Sequence, residues 1–160
     1  MTEQLAPFAE PFVASVIYRD PKAALHWLER AFGFELSMLI EGPDGDPHAL
    51  HAEMSVGGRG RIMVGGEWAD WVKSPASVGG ANTCNIHVHL ADGVDAHCEQ
   101  ARAAGADIVA EPSDQFYGDR TYRAKDPEGH VWTFAQKVRQ VSRAEAEAAI
   151  GTRIFSPSWA

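Results

Sequence analysis

Residues 116–134 read FYGDRTYRAKDPEGHVWTF, and the rest of the chain can be interpreted outward from this stretch. Two short apolar and aromatic runs, residues 120–124 and 130–134, flank the sequence Asp126-Pro127-Glu128-Gly129. Proline presets φ at the first inner position of a turn, aspartate accepts a turn hydrogen bond, and glycine permits a positive φ at the exit. Bulky residues alternate with smaller or polar ones on both sides, which is typical of paired strands. The stretch therefore predicts a β-hairpin.

The hairpin closes an internal repeat. Asp20 and Gly33 bracket a segment with helical spacing of apolar residues, and Asp92 and Gly105 bracket a second such segment 72 residues later. The same offset carries Gly57 onto the glycine of the hairpin turn. Each half then reads as strand, aspartate, helix, glycine and further strands. One shift that matches several features indicates duplication of a supersecondary unit.

A βαβββ unit used twice resembles the glyoxalase/bleomycin-resistance/dioxygenase superfamily, also called vicinal oxygen chelate. The resemblance rests on the Asp-helix-Gly spacing of both halves, on Tyr117-Gly118-Asp119-Arg120, and on the DPEGHVW sequence of residues 126–132. These motifs are most similar to the PhnB-like branch. The resemblance implies an α+β fold with two tandem βαβββ repeats forming a curled mixed β-sheet around a cavity, and a homodimer with sites at repeat or subunit interfaces.

The boundaries follow from the same patterns. We expect a single domain over residues 1–138, with repeat one at about 12–65 and repeat two at about 83–138, and a C-terminal helical extension and tail at 139–160. Asp20 and Asp92 are predicted N-caps, and Ser142 with Glu145 forms a predicted capping box. Helices are predicted at 23–32, 93–104 and about 143–150, and strands at 12–18, 34–40, 48–55, 61–64, 83–90, 106–111 and in the hairpin.

Composition excludes several classes of function. The chain of 160 residues is 45% hydrophobic and 22% charged, an ordinary globular balance, and its formal charge is −8. This charge argues against nucleic-acid or anionic-membrane binding and slightly favours cationic small ligands. Two cysteines make no disulfide framework. The N-terminus lacks the pattern of a signal peptide and no apolar run is long enough to span a membrane, so we predict a cytoplasmic protein.

The resemblance also locates the positions at which metal-dependent members of the superfamily hold their ion. One ligand precedes each repeat's aspartate by seven residues, which gives Val13 and Asn85 here. Others lie in the last strand of each repeat, at Arg61 and Thr133 by the common offset. Divalent metals need several histidine, cysteine or carboxylate ligands. None of these four residues is one, so we predict no metal and no cofactor.

Two histidines offer a different chemistry. His87 and His89 are two apart on one predicted strand and therefore share a face with Asn85. They can supply part of a zinc site, for which His51 or Glu53 would have to face the same side. They can equally line a cavity and hydrogen-bond an organic ligand, and we favour this second interpretation.

Three further sets of residues are candidates. Arg61, if it points inward, needs an anion or an aromatic face, or forms a salt bridge to Glu53 or Asp119. Arg120 and Tyr122 alternate on the hairpin and are expected to face the ligand. Trp68 and Trp71, in the connector at residues 65–81, either stack on flat ligands or anchor the loop.

The sequence therefore predicts a metal-independent small-molecule-binding or sequestering protein, with no nucleic-acid or membrane partner. The alternative is a glyoxalase- or lyase-type enzyme that uses His87 or His89 as general base, or an unconventional divalent-metal site. A third hypothesis is an interaction module that acts through its dimer surface. We assign no catalytic residue, and the predicted ligand-binding residues are Arg61, Asn85, His87, His89, Arg120, Tyr122 and Thr133.

Overall fold

The structure is a computed structural model that describes residues 12–159, so the first 11 residues of the predicted domain lie outside the described residues. Within this range, residues 12–81 form one compact unit, and residues 82–159 form a second. Each unit contains one βαβββ repeat with its own four-stranded mixed sheet. The predicted α+β class and tandem repeat are thereby confirmed. Within residues 12–159, none of the helices has the length and hydrophobicity of a membrane-spanning segment.

The first unit builds its sheet in the order β1-β4-β3-β2, with β1 parallel to β4 and the other pairs antiparallel. The predicted cap holds at the start of its helix, where Asp20 Oδ1 accepts a hydrogen bond from the Ala23 N–H at 2.9 Å. Gly33 ends the helix in the left-handed conformation, with φ of 65°. The elements are β1 (Ala14–Tyr18), α1 (Pro21–Phe32), β2 (Glu35–Ile40), β3 (His51–Val56) and β4 (Arg59–Gly66), with short 3-10 helices at Pro43–Gly45, Pro47–Ala49 and Pro75–Val78.

The second unit repeats this topology in the order β5-β8-β7-β6, with β5 parallel to β8. Its helix covers one face of the sheet, because the His97 ring contacts both Tyr122 and Phe134, with centroids 5.8 and 4.4 Å away. Trp132, on the same face, is fully buried. The elements are β5 (Asn85–Leu90), α2 (Val94–Ala103), β6 (Asp107–Asp114), β7 (Asp119–Lys125), β8 (Val131–Lys137) and α3 (Arg143–Ile150).

The predicted hairpin is confirmed as β7 and β8, and Asp126 organises the turn between them. Its Oδ1 accepts hydrogen bonds from the backbone N–H groups of Glu128 and His130, both at 3.0 Å. Its Oδ2 accepts from Trp132 Nε1 at 3.1 Å. One buried carboxylate therefore ties the turn to the aromatic core of the sheet.

The C-terminal helix α3 starts with the predicted capping box. Ser142 Oγ accepts from the Glu145 N–H at 3.3 Å, and Glu145 Oε2 accepts from the Ser142 N–H at 2.8 Å. The chain between β8 and α3 is held to the loop before β7, because the N–H groups of Val138 and Arg139 both donate to the Gly118 carbonyl. These contacts lie within the second unit.

Two details of the prediction are wrong. Asp92 does not cap α2; Gly93, with φ of 72°, occupies the N-cap position, and Gln136 Oε1 from β8 accepts from the Val94 N–H at 3.0 Å. The offset of 72 residues between the two repeats also does not hold in the last two strands of each repeat. Ser15 and His87 are 72 residues apart, yet they pair with Met63 and Thr133, which are 70 apart. The counterpart of Thr133 is therefore Met63 and not Arg61, because the second repeat is two residues shorter before its hairpin.

Candidate functional site

The two faces of the second sheet differ in chemistry because side chains alternate along each strand. The face beneath α2 is apolar and buried at its centre, where Tyr122 stacks on Phe134 with centroids 5.0 Å apart. The opposite face presents polar side chains. We call it the polar face, and define it by Asn85, His87, His89, Thr133 and Arg123.

The register of the strands brings these residues together. His87 on β5 lies opposite Thr133 on β8, and Thr133 lies opposite Arg123 on β7, so the three form one row across the sheet. Asn85 and His89 flank His87 along β5. Neighbouring strands are about 4.8 Å apart, which places the backbones of His87 and Arg123 about 10 Å apart with Thr133 between them. Four of the predicted residues thus share one surface.

Arg123 is a member of this site that the sequence analysis missed. Its Nε donates to Thr133 Oγ1 at 3.3 Å, and the Thr133 side chain is buried whereas Arg123 is exposed. The signal that could have found it is parity, because β7 and β8 pair across a turn of known length. Once Thr133 is placed opposite Arg123, every second residue of β7 follows it onto the polar face.

Arg120 and Tyr122, which were expected to face the ligand, lie on the helix-covered face instead. Arg120 Nη2 binds Asp95 of α2 at 2.8 Å and its Nη1 binds Asp114 of β6 at 2.9 Å. These two carboxylates raise the pKa of Arg120 above its ordinary value, and Asp95 has the larger effect. The Tyr122 hydroxyl hydrogen-bonds His97 Nδ1 at 2.6 Å, and burial raises the pKa of Tyr122. Both side chains fasten α2 to the sheet.

Arg61 belongs to the first unit. Its guanidinium is partly buried, and Nη1 binds both carboxylate oxygens of Glu53, at 3.3 and 3.2 Å. This is the salt bridge that the sequence analysis weighed as the alternative to a ligand contact. A guanidinium already paired with a carboxylate offers less to an incoming anion.

The residues fit a divalent metal poorly. Among residues 12–159, no three His, Cys, Asp or Glu side chains are grouped so that they could hold an ion. On the polar face, His87 and His89 face Thr133 and Ala135 across β8, and neither residue supplies a good metal ligand.

The two tryptophans of the connector in the first unit form a T-shaped pair, with ring centroids 4.9 Å apart. Both rings are exposed, Trp68 by 60% and Trp71 by 77%. Glu67 braces the loop, since its Oε1 accepts from the Ser74 N–H at 2.9 Å. These rings therefore do not anchor the loop by burial; the hydrogen bonds of Glu67 and Ser74 do so.

Comparison with known proteins identifies the fold family. A model of the Glyoxalase/Bleomycin resistance protein/Dioxygenase superfamily matches residues 10–134. The chain belongs to this superfamily. An uncharacterized protein of Mycobacterium bovis, Mb0911c, is 32% identical over 145 residues, which cover 86% of this chain and 90% of that protein.

Solved structures of the superfamily are similar as well. TioX from Micromonospora sp. ML1 is 35% identical, with a TM-score of 0.63 over 81% of this chain and 100% of that one. TnmS3, an antibiotic binding protein from Streptomyces sp. CB03234, is 22% identical, with a TM-score of 0.60 over 82% of this chain and 99% of that one. At that identity the likeness to TnmS3 concerns the fold alone.

Proposed function

We propose that the protein binds a small organic molecule on the polar face of the second sheet. The observation that carries this proposal is the row formed by His87, Thr133 and Arg123 on a sheet face that α2 leaves uncovered. A solvent-facing sheet surface without a binding role needs no such convergence of hydrogen-bond donors. Binding sites characteristically combine a few well-placed polar groups with apolar surface. Here Val131 and Ala135 supply the apolar neighbours of Thr133 along β8.

The superfamily supports the same function. TnmS3 is described as an antibiotic binding protein, which is a small-molecule-binding role on this fold. A fold does not dictate chemistry, so the argument for this chain rests on its own side chains. Membership of the PhnB-like branch, a homodimeric assembly and a cytoplasmic location stay predictions from the sequence.

We also propose that binding is independent of metal. The support is the donor set of the polar face, because two imidazoles with threonine and alanine opposite them lack the further ligands that a stable zinc site needs. The enzymatic alternative gains no specific support. A general base is held in its tautomer by a hydrogen bond to its second nitrogen. Neither His87 nor His89 makes a side-chain hydrogen bond within residues 12–159.

The test is a titration followed by two-dimensional amide NMR, with a library of neutral, cationic and anionic aromatic fragments. Fragments that bind should shift the amide resonances of β5, β7 and β8. The His89→Ala substitution should weaken the binding of these fragments. His26→Ala is the matched control, because His26 is an exposed histidine on α1 in the other unit. The same spectra recorded with chelator should be unchanged. Fragments that shift only resonances of the first unit would contradict the proposal.

A further inference from the structure

The charges of the second sheet are distributed unequally between its two faces. On the helix-covered face, Arg120 forms two ion pairs, one with Asp95 and one with Asp114. Arg102 of α2 is likewise paired with Glu111 of β6 at 2.7 Å. Three carboxylates therefore accompany the two arginines of this side, and neither positive charge is left uncompensated.

The polar face has no such compensation at its centre. Arg123 has no carboxylate within ion-pair distance among the described residues, and its only polar side-chain contact there is with the neutral Thr133 hydroxyl. Two carboxylates do lie on this face, but towards its ends. Asp119 is paired with Lys137 at 3.0 Å, and Asp107 lies opposite Lys125 in the register. Between these ends the face carries one unpaired guanidinium and two histidines.

The groups that remain available there are mainly donors. The Arg123 Nε donates to Thr133, which orients the guanidinium and leaves both terminal NH₂ groups for another partner. Asn85 Oδ1 accepts from Asn82 Nδ2 at 3.4 Å, so the amide N–H groups of Asn85 are left to donate. The imidazoles of His87 and His89 each offer at least one further N–H donor.

From this arrangement, and resting on the binding function proposed above, we infer that the polar face takes an organic anion. Its carboxylate or sulfonate pairs with Arg123, and its apolar frame lies along β5 and β8. The planar guanidinium matches two oxygens of such a group and is less strongly hydrated than an ammonium group. The local charge thus overrides the net charge of −8, which by itself favours cationic ligands.

The experiment compares two probes of the same size and ring, the anion 2-naphthoate and the neutral 2-naphthamide, by NMR titration of the full chain with inorganic phosphate as a third probe. We expect naphthoate to bind at least tenfold more tightly than naphthamide and to shift the Arg123 Nε–H resonance. Arg123→Gln should weaken naphthoate about tenfold and leave naphthamide unchanged, and Arg123→Lys should be intermediate. Arg120→Gln is the matched control on the other face of the same strand, and should leave both affinities unaltered.

The outcomes separate the two proposals. Equal binding of naphthoate and naphthamide on the polar face, insensitive to Arg123→Gln, would overturn the anion preference and leave small-molecule binding in place. Phosphate that binds as tightly as naphthoate would overturn the requirement for an organic frame. Absence of shifts in β5, β7 and β8 with all three probes would overturn both proposals. Unchanged melting temperatures of the variants establish that affinity, and not folding, has changed.

Discussion

Replacing Asp126 should destabilise the second unit more than any other exchange of one carboxylate there. Asp126 is 5% exposed and accepts three hydrogen bonds through its side chain, two from the turn and one from Trp132 Nε1. A buried donor that loses its partner costs about 1–3 kcal/mol, and bonds to a charged acceptor lie at the upper end. The indole N–H is fully buried, whereas the N–H groups of the half-buried Glu128 and His130 can regain water. We therefore expect Asp126→Ala to cost about 3 kcal/mol of unfolding free energy.

The Asp126→Asn substitution separates the contribution of the turn hydrogen bonds from that of the bond to the Trp132 indole. Its oxygen can keep the two turn N–H groups, but its NH₂ group then faces the indole N–H, so we expect a loss of about 1–2 kcal/mol. Urea unfolding followed by circular dichroism measures both variants. In a Trp132→Phe background, which lacks the indole N–H, the cost of Asp126→Asn should fall by about 1 kcal/mol. Asp107→Asn, an exposed change, is the control and should stay within about 0.5 kcal/mol. An Asp126→Asn cost that is unaltered by Trp132→Phe would refute the assignment of this bond.

Three further predictions concern other contacts of the second unit. Gly118→Ala should lower the unfolding free energy by about 2 kcal/mol or more in urea, because a Cβ there would collide with the Arg139 carbonyl and φ is +93°; a neutral effect would refute the close approach. Ser142→Ala should cost about 1 kcal/mol by the loss of a cap, seen as faster amide exchange in α3, and unchanged exchange would contradict the capping box. With a thiol reagent, exposed Cys84 should react quickly and Cys98 slowly, since burial raises the pKa of the Cys98 thiol; a fast phase that survives Cys84→Ser would argue against this.

The sequence predicted the fold wherever the determining chemistry is local. The cap of Asp20, the hairpin turn at Asp126 and the capping box at Ser142 each depend on residues within a few positions of one another, and all three are present. The predicted cap at Asp92 was wrong because the actual acceptor is distant in sequence. Gln136, on β8, supplies the acceptor for the first turn of α2. A local pattern cannot indicate a side chain that arrives from another strand.

The candidate site was predictable only in part, and the reason is strand parity. His87 and His89 share a face by their spacing alone, so their grouping with Asn85 follows from the sequence. Which residues of β7 join them depends on the register across the hairpin, where a shift of one residue reverses the face. The sequence does not show which face each residue of β7 occupies. It therefore predicted Tyr122 as a ligand contact and did not predict its neighbour Arg123.

Binding on the polar face is tested most directly by intermolecular nuclear Overhauser effects between 2-naphthoate and the isotope-labelled protein. We expect contacts from the ring protons of the probe to the imidazole protons of His87 and His89 and to the side chain of Arg123. Contacts to Arg120 or Tyr122, on the opposite face of the same sheet, would show that the polar face is not the binding surface, as would contacts confined to residues of the first unit.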